Sequence, residues 1–294
     1  MNITLTGSIG HIGRPLTEQL VKRGHNVSVI TSNHERAQEI ESLGATAAVG
    51  KLDDVNFITQ AFTDANAVFC MTPPDFSQPD QLLYYETLGH NYAQAIQQSG
   101  VSRVVHLSSY GAHLPSGTGF ISGSYKAEQI LNAIPNIRLT HLRPTSFYYN
   151  LLAFAGMIKA AGFIGAVYGG QDTVAMVAPA DIADAAAQEL VIEKDCKQIR
   201  YINSDERTCN QIADVLGKAI GIPTLRWIAL PKDQVLKALL ERGVPENAAN
   251  NLVELGEALH TGRLLEDFES HKPVFGIVKL EDYANEFAAI FHKQ

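Results

Sequence analysis

The sequence predicts an α/β fold: a doubly wound parallel sheet with helices on both faces, then a smaller, mostly helical C-terminal region. Three observations predict it. Short apolar runs alternate with longer amphipathic stretches through the first half of the 294-residue chain, the rhythm of β-α-β units. A glycine-rich turn follows the first apolar run directly. After residue 150 the alternation loosens, and amphipathic stretches separated by Gly/Pro breaks take over.

Taken in order, ITLT (3–6) reads as the first strand, and Leu16, Leu20 and Val21 line one face of the helix after it. VSVI (27–30) is the second strand and leads to a helix over 34–43. ATAAV (45–49) and AVFCM (67–71) are the third and fourth strands, with a short helix, VNFITQAF (55–62), between them. A long helix over 80–98 carries Leu83, Thr87, Tyr92 and Ile96 near helical spacing. RVVHLSS (103–109) and IRLTHLRP (137–144) are the fifth and sixth strands and flank FISGSYKAEQILNAI. Crossovers between parallel strands are expected to be right-handed. Further on, Asp181 opens and caps a helix in DIADAAAQEL, and IRYIN (199–203) is one more strand. Helices follow over 208–220, 231–242, 245–260 and 280–292, punctuated by GIP (221–223), ALP (229–231) and GVP (243–245).

Composition narrows the function. Apolar residues make up 46% and charged residues 18% of the chain, ordinary for a globular protein. A formal net charge of −8 without a basic stripe argues against a nucleic-acid partner. Cys70, Cys196 and Cys209 are odd in number and widely spaced. They suggest neither a disulfide framework nor a zinc site, which suits a reducing cytoplasm. The ten histidines form no metal-binding pair, so no metal is expected. MNITLTGSIG enters a strand pattern at once, so no signal peptide is expected. No apolar run reaches the roughly 18 residues of a membrane span.

The segment TGSIGHIGRPLTEQL carries the chemistry. Gly7, Gly10 and Gly13 are spaced G-x-x-G-x-x-G across a strand-to-helix junction. A tight turn there needs a residue without Cβ, a diphosphate needs close backbone approach, and a helix N-terminus offers free N–H groups. With Ser8, Ile9, His11 and Ile12 between them, these glycines are the expected diphosphate cradle of a Rossmann-type NAD(P)-binding domain over 1–150, which takes the later strand at 199–203. Residues 151–294 form the smaller substrate or partner region. A merely tight turn is the alternative. His11 and Arg14 stand at the same helix start, within reach of phosphate or simply solvated.

The second strand ends Thr31-Ser32-Asn33-His34-Glu35-Arg36. NAD sites place an acidic residue at this strand end, on the ribose 2′-OH. Here Ser32, Asn33 and Arg36 are donors suited to a 2′-phosphate, while Glu35 belongs to the first helical turn. NADP(H) is therefore favoured over NAD(H).

Several segments together resemble the NmrA-like family of atypical short-chain dehydrogenases, which includes NADPH-dependent quinone oxidoreductases and redox-sensing regulators. The likeness lies in the glycine turn, TSNHERA (31–37), LSSYGA (107–112), YKAEQIL (125–131), LRPTSFYYNLL (142–152) and APADIADAA (178–186). Two positions depart from the family pattern. Ser32 stands where an arginine is usual, and Gly50-Lys51-Leu52 replaces Gly-Asp-Leu. The resemblance implies that Leu52, Met71, Thr72 and Pro73 border the nucleotide, that Ser108 closes the fifth strand beside it, and that Pro144, Phe147, Tyr148 and Asn150 flank the nicotinamide. Core packing is the alternative for Phe147 and Tyr148. The resemblance also implies that Lys126 holds the nicotinamide ribose.

Many nicotinamide-dependent reductases share a proton between a Tyr and a Lys four residues apart. Here Tyr125 adjoins Lys126, about 100° away around a helix, and Ser122 occupies the tyrosine position. Tyr125 and Tyr110 remain candidate acids. Without a positioned Tyr–Lys pair, alcohol oxidation and sugar epimerisation are disfavoured, because both need a base on a hydroxyl. A quinone accepts hydride readily and takes its proton from solvent. The expected function is hydride transfer to a quinone-like electrophile. The alternative is a non-catalytic NADP(H) sensor that contacts a regulatory protein.

Overall fold

The computed structural model describes residues 1–193 and 197–293. The first half runs β1 (Asn2–Leu5), α1 (Gly13–Lys22), β2 (Asn26–Thr31), α2 (Ala37–Ser42), β3 (Thr46–Val49), α3 (Val55–Phe62), β4 (Ala67–Met71), α4 (Gln81–Ser99), β5 (Arg103–Leu107), α5 (Ile121–Asn132) and β6 (Arg138–Pro144). The second half runs β7 (Ser146–Phe147), α6 (Ala155–Ala161), β8 (Ile164–Ala166), β9 (Thr173–Val177), α7 (Pro179–Val191), β10 (Lys197–Ile202), β11 (Asp205–Thr208), α8 (Cys209–Ala219), β12 (Trp227–Ala229), α9 (Lys232–Glu241), α10 (Glu246–His260), α11 (Glu266–Ser270) and α12 (Leu280–Lys293).

Seven strands lie side by side in the order β10-β6-β5-β4-β1-β2-β3, and every pairing is parallel. The chain winds outward from β1 to β3 on one side and from β4 to β6 on the other. The order therefore reverses between β1 and β4, where diverging loops leave a crevice beyond the strand ends. Successive strand residues feed opposite faces. Val29 packs with Leu16 and Leu20 of α1 and Ile182 and Leu190 of α7, whereas Ile30 packs with Ile58, Phe62, Tyr92 and Leu131 on the other side. Burial on both faces explains why AVFCM reads as one unbroken apolar run.

Helix ends follow their caps. The Asp54 and Asp80 carboxylates accept from Phe57 N (3.1 Å) and Leu83 N (3.0 Å) at the starts of α3 and α4, and Gly100 closes α4 at φ +74°. Thr208 and Gln211 form a reciprocal capping box at α8. Beyond β6 the chain builds a second core around Tyr148, Leu216, Trp227 and Phe287.

Four expectations are corrected. The stretch 34–43 is a 3-10 turn (His34–Arg36) followed by α2, because the Asn33 side chain accepts from Glu35 N at 2.8 Å and caps the turn early. The strand expected at 199–203 is β10, displaced toward the N-terminus. Asp181 is no cap: α7 starts at Pro179, whose fixed φ suits the first helical position. The Asp181 carboxylate accepts instead from Ser204 Oγ (2.5 Å) and Ile277 N (3.4 Å). The C-terminal region also holds two small sheets, β11-β9-β7 and β12-β8, whose two- to five-residue strands are too short to display a period. Cys70 and Cys209 are buried free thiols, and Cys196 lies outside the described residues. Among the described residues no helix is long and apolar enough to cross a membrane, and no side-chain cluster could hold a metal.

Candidate functional site

The turn from β1 to α1 leaves the sheet at the reversal, and its three glycines meet three different demands. Gly7 has φ +91°, and a Cβ there would stand 2.0 Å from the Met71 sulfur. A Cβ on Gly13 would stand 1.9 Å from the Ser8 carbonyl oxygen, so α1 packs on the turn only without one. Gly10 has neither constraint: its φ is not left-handed, and a Cβ would meet nothing within 4 Å. Its bare backbone leaves room for a group outside the protein, the part played by the middle glycine of a diphosphate-binding turn. The start of α1 has no side-chain cap and no acidic residue in its first turn, so its N–H groups and positive dipole end suit an anion.

Beside the turn lies a cavity of about 450 Å³. Its walls include Gly7, Ser8, Thr31, Ser32, Arg36, Gly50, Lys51, Leu52 and Pro73. Ser8 sits at φ +59°, donates from Oγ to Thr31 Oγ1 at 3.1 Å and accepts from Arg36 Nη1 at 3.4 Å. Arg36 and Lys51 form no ion pair among the described residues, whereas Arg14 is tied to Glu39 and Glu18. The end of β2 carries no carboxylate. Asp53 and Asp75 reach the cavity from the other side, and hydrogen bonds from Ser77 and Gln78 hold the Asp75 carboxyl below the usual range. Tyr84 closes the wall by donating to Pro73 O at 3.1 Å, and burial pushes its phenol up to about 12.

On the α5 side, Lys126 Nζ donates to Glu86 Oε2 of α4 at 2.6 Å, with both side chains part-exposed. Small residues let these helices close up: a Cβ on Gly123 would stand 2.7 Å from Tyr85 Cβ. The Tyr125 hydroxyl makes no hydrogen bond among the described residues. Ser122 shares a buried hydrogen bond with Thr118 (3.0 Å). Tyr110 is bonded to Ser146 Oγ (2.8 Å), and burial raises its pKa. None of these hydroxyls pairs with Lys126.

Ser108 turns away from the groove into a buried network. Its Oγ donates to Glu128 Oε1 at 2.5 Å, and Glu128 is gripped by Arg143 at 3.0 and 2.7 Å. Arg143 also donates to Asp267 and the Tyr201 hydroxyl, each at 3.0 Å. Glu128 and Lys126 share α5, so the network fixes the helix that presents the lysine. Past β6, the Pro144 carbonyl accepts from Tyr110 N at 3.0 Å. Tyr148 is fully buried, donates to Val278 O at 3.2 Å and stacks on Tyr283; it packs the core and does not flank the groove. Tyr149 takes the outward place. Its ring lies 5.1 Å from Phe147 and 4.4 Å from His11, the latter pair only 18° from parallel.

Residues 1–275 match the NmrA-like family. The chain belongs to that family. Among curated relatives of this NmrA-like chain, a (4-alkanoyl-5-oxo-2,5-dihydrofuran-3-yl)methyl phosphate reductase of Streptomyces griseus is 26% identical over 261 residues, spanning 88% of each protein. The NAD(P)H azoreductase of Xenophilus azovorans is 25% identical over 254 residues, 86% of this chain and 85% of the relative. Among solved structures, an Escherichia coli NADPH-dependent quinone oxidoreductase complexed with NADPH matches with TM-score 0.83 at 22% identity, covering 97% of this chain and 99% of that one. A Citrobacter triphenylmethane reductase matches with TM-score 0.81 at 18% identity, covering 98% and 100%. The NmrA-like fold is thus shared over almost the whole length.

In this NmrA-like chain the predicted residues Gly7, Ser8, Thr31, Ser32, Arg36, Leu52 and Pro73 share one cavity. Ile9 and Ile12 bury their side chains in the core below and leave their backbone at the turn. Met71 backs Gly7, Thr72 is part-buried beside it and Asn150 is exposed. Sequence reasoning missed Tyr84 and Glu86, and did not single out Tyr149 within the aromatic stretch 147–163 expected to wall the acceptor pocket. Asp80, three residues before Leu83, was a readable cap signal for α4, but its solvent-side polar residues gave no sign of which would meet α5. In the run Phe147-Tyr148-Tyr149 no pattern separates inward from outward rings.

Proposed function

We propose that this chain is an NAD(P)H-dependent oxidoreductase that reduces a quinone or a similar flat, small electrophile, with NADP(H) favoured over NAD(H). The carrying observation is the division of labour at the glycine turn, where Gly10 alone is required by neither conformation nor packing. Arg36 and Lys51, which form no ion pair among the described residues, stand with Ser32 near a strand end without a carboxylate and support the phosphorylated dinucleotide. The four proteins reported above are named as reductases or oxidoreductases, one of them for quinones.

When bound, the dinucleotide supplies a hydride to the acceptor. The protein's own residues bind and orient. The turn amides would hold the diphosphate, Arg36 and Lys51 would supply positive charge toward a 2′-phosphate, and Lys126, now on Glu86, would be the residue to hold the ribose. A quinone gains two electrons and one proton with the hydride, and a second proton from water completes the hydroquinone. No side-chain acid is required. Consistent with this, burial shifts Tyr84, Tyr85, Tyr110 and Tyr149 upward, so none is prepared to serve as a base on an alcohol.

The test is to mix the protein with NADPH and a panel of quinones and follow the loss of reduced-nicotinamide absorbance. Turnover with at least one quinone is expected. Tight NADPH binding without turnover across the panel would overturn the enzymatic reading in favour of a redox sensor.

A further inference from the structure

We infer that His11 and Tyr149 form a stacked clasp between the two sides of the dinucleotide groove and set how fast the dinucleotide leaves. The inference rests on the dinucleotide site proposed above. His11 lies between Gly10 and Gly13, with its ring exposed at the mouth of α1. Tyr149 belongs to the 3-10 segment Tyr148–Phe154, which the chain reaches only after β6, beyond the sheet's reversal. Their ring centroids are 4.4 Å apart at an interplanar angle of 18°, a face-to-face arrangement that joins the glycine turn to the far bank.

Two features suit this contact to retaining a ligand. The anchored partner is Tyr149. Phe147 backs its ring at 5.1 Å, and its neighbour Tyr148 is pinned in the core through Val278 O. The partner at the turn is His11, next to Gly10, the one of the turn's three glycines where a Cβ would meet nothing within 4 Å. A diphosphate seated on the amides of Gly10 to Gly13 lies directly beside that ring. The polar end of Tyr149 takes no part: its hydroxyl makes no hydrogen bond among the described residues. The contact is therefore made by the ring, and removing the hydroxyl should leave it intact. An aromatic pair of this kind contributes enough to slow release by roughly threefold to tenfold.

The experiment loads the protein with NADPH, mixes it rapidly with excess NADP⁺ and follows the decay of bound-NADPH fluorescence. His11→Ala and Tyr149→Ala should each release NADPH roughly threefold to tenfold faster. Tyr149→Phe should release at the wild-type rate. The double alanine variant should be no faster than either single one, because each breaks the same contact. Wild-type release rates in both single variants, or a double variant whose effect is the product of the two, would overturn the clasp while leaving the dinucleotide site standing. Absence of NADPH binding to the wild-type protein would overturn the site and the clasp together.

Discussion

In the proposed dinucleotide site, we propose that nucleotide choice turns on Arg36. It reaches Ser8, has no carboxylate partner among the described residues, and lines the cavity just beyond a strand end that carries no acid. A charge-assisted bond to phosphate is worth about 1.5–3 kcal/mol. Arg36→Ala is expected to weaken NADPH binding by about 10- to 100-fold and to leave NADH binding nearly unchanged, as read by fluorescence titration. Equal losses for both nucleotides would refute the assignment. At this scale the sequence was legible wherever a residue's chemistry and chain position sufficed. Donors at a strand end and glycines at a strand-to-helix junction announce themselves. Direction of pointing did not: Tyr148 and Tyr149 are identical in type, and only packing against Tyr283 or His11 separates them. Lys126 was singled out from its motif, yet its partner Glu86 lies forty positions away on another helix.

Paired strands carry a second consequence. His106 of β5 and His141 of β6 stand opposite one another, with Nδ1 atoms 3.0 Å apart and both side chains buried. Burial, with mutual repulsion, lowers His106 from 6.5 to about 3. Burial, with the nearby Arg143 charge, lowers His141 equally. The folded state thus keeps both rings neutral while the unfolded chain takes up protons below about pH 6.5. Stability contributed by the neutral pair is full above that value and falls as pH drops toward 3, by about 1.4 kcal/mol per pH unit for each histidine. Urea denaturation between about pH 7 and pH 5 should show this decline, and His106→Leu/His141→Leu should flatten it; an unchanged slope in the double variant would contradict the account. Elements of the large sheet were legible because helix and strand periods alternate over many residues. The small strands β7, β8, β9, β11 and β12 were not, since their partners, and not their own sequence, make them strands.

Across the whole molecule, both halves of the chain build the large sheet and its helical cover. β10 from the second half extends the sheet beside β6, α7 covers the same face as α1, and the segment after β7 returns an aromatic ring to the glycine turn. We propose that the N-terminal 150 residues bind the nucleotide while the remainder shapes the acceptor side. The family was legible from scattered motifs, most of them at strand ends. The central claim is that main-chain amides around Gly10 hold a dinucleotide diphosphate. Gly10→Val tests it most directly, because a Cβ there meets nothing within 4 Å and the backbone conformation is not left-handed. Calorimetric titration of NADPH into this variant, folded and with wild-type thermal stability, is expected to detect no binding where the wild-type protein binds. A Gly10→Val protein that takes up NADPH as tightly as wild type would contradict the account.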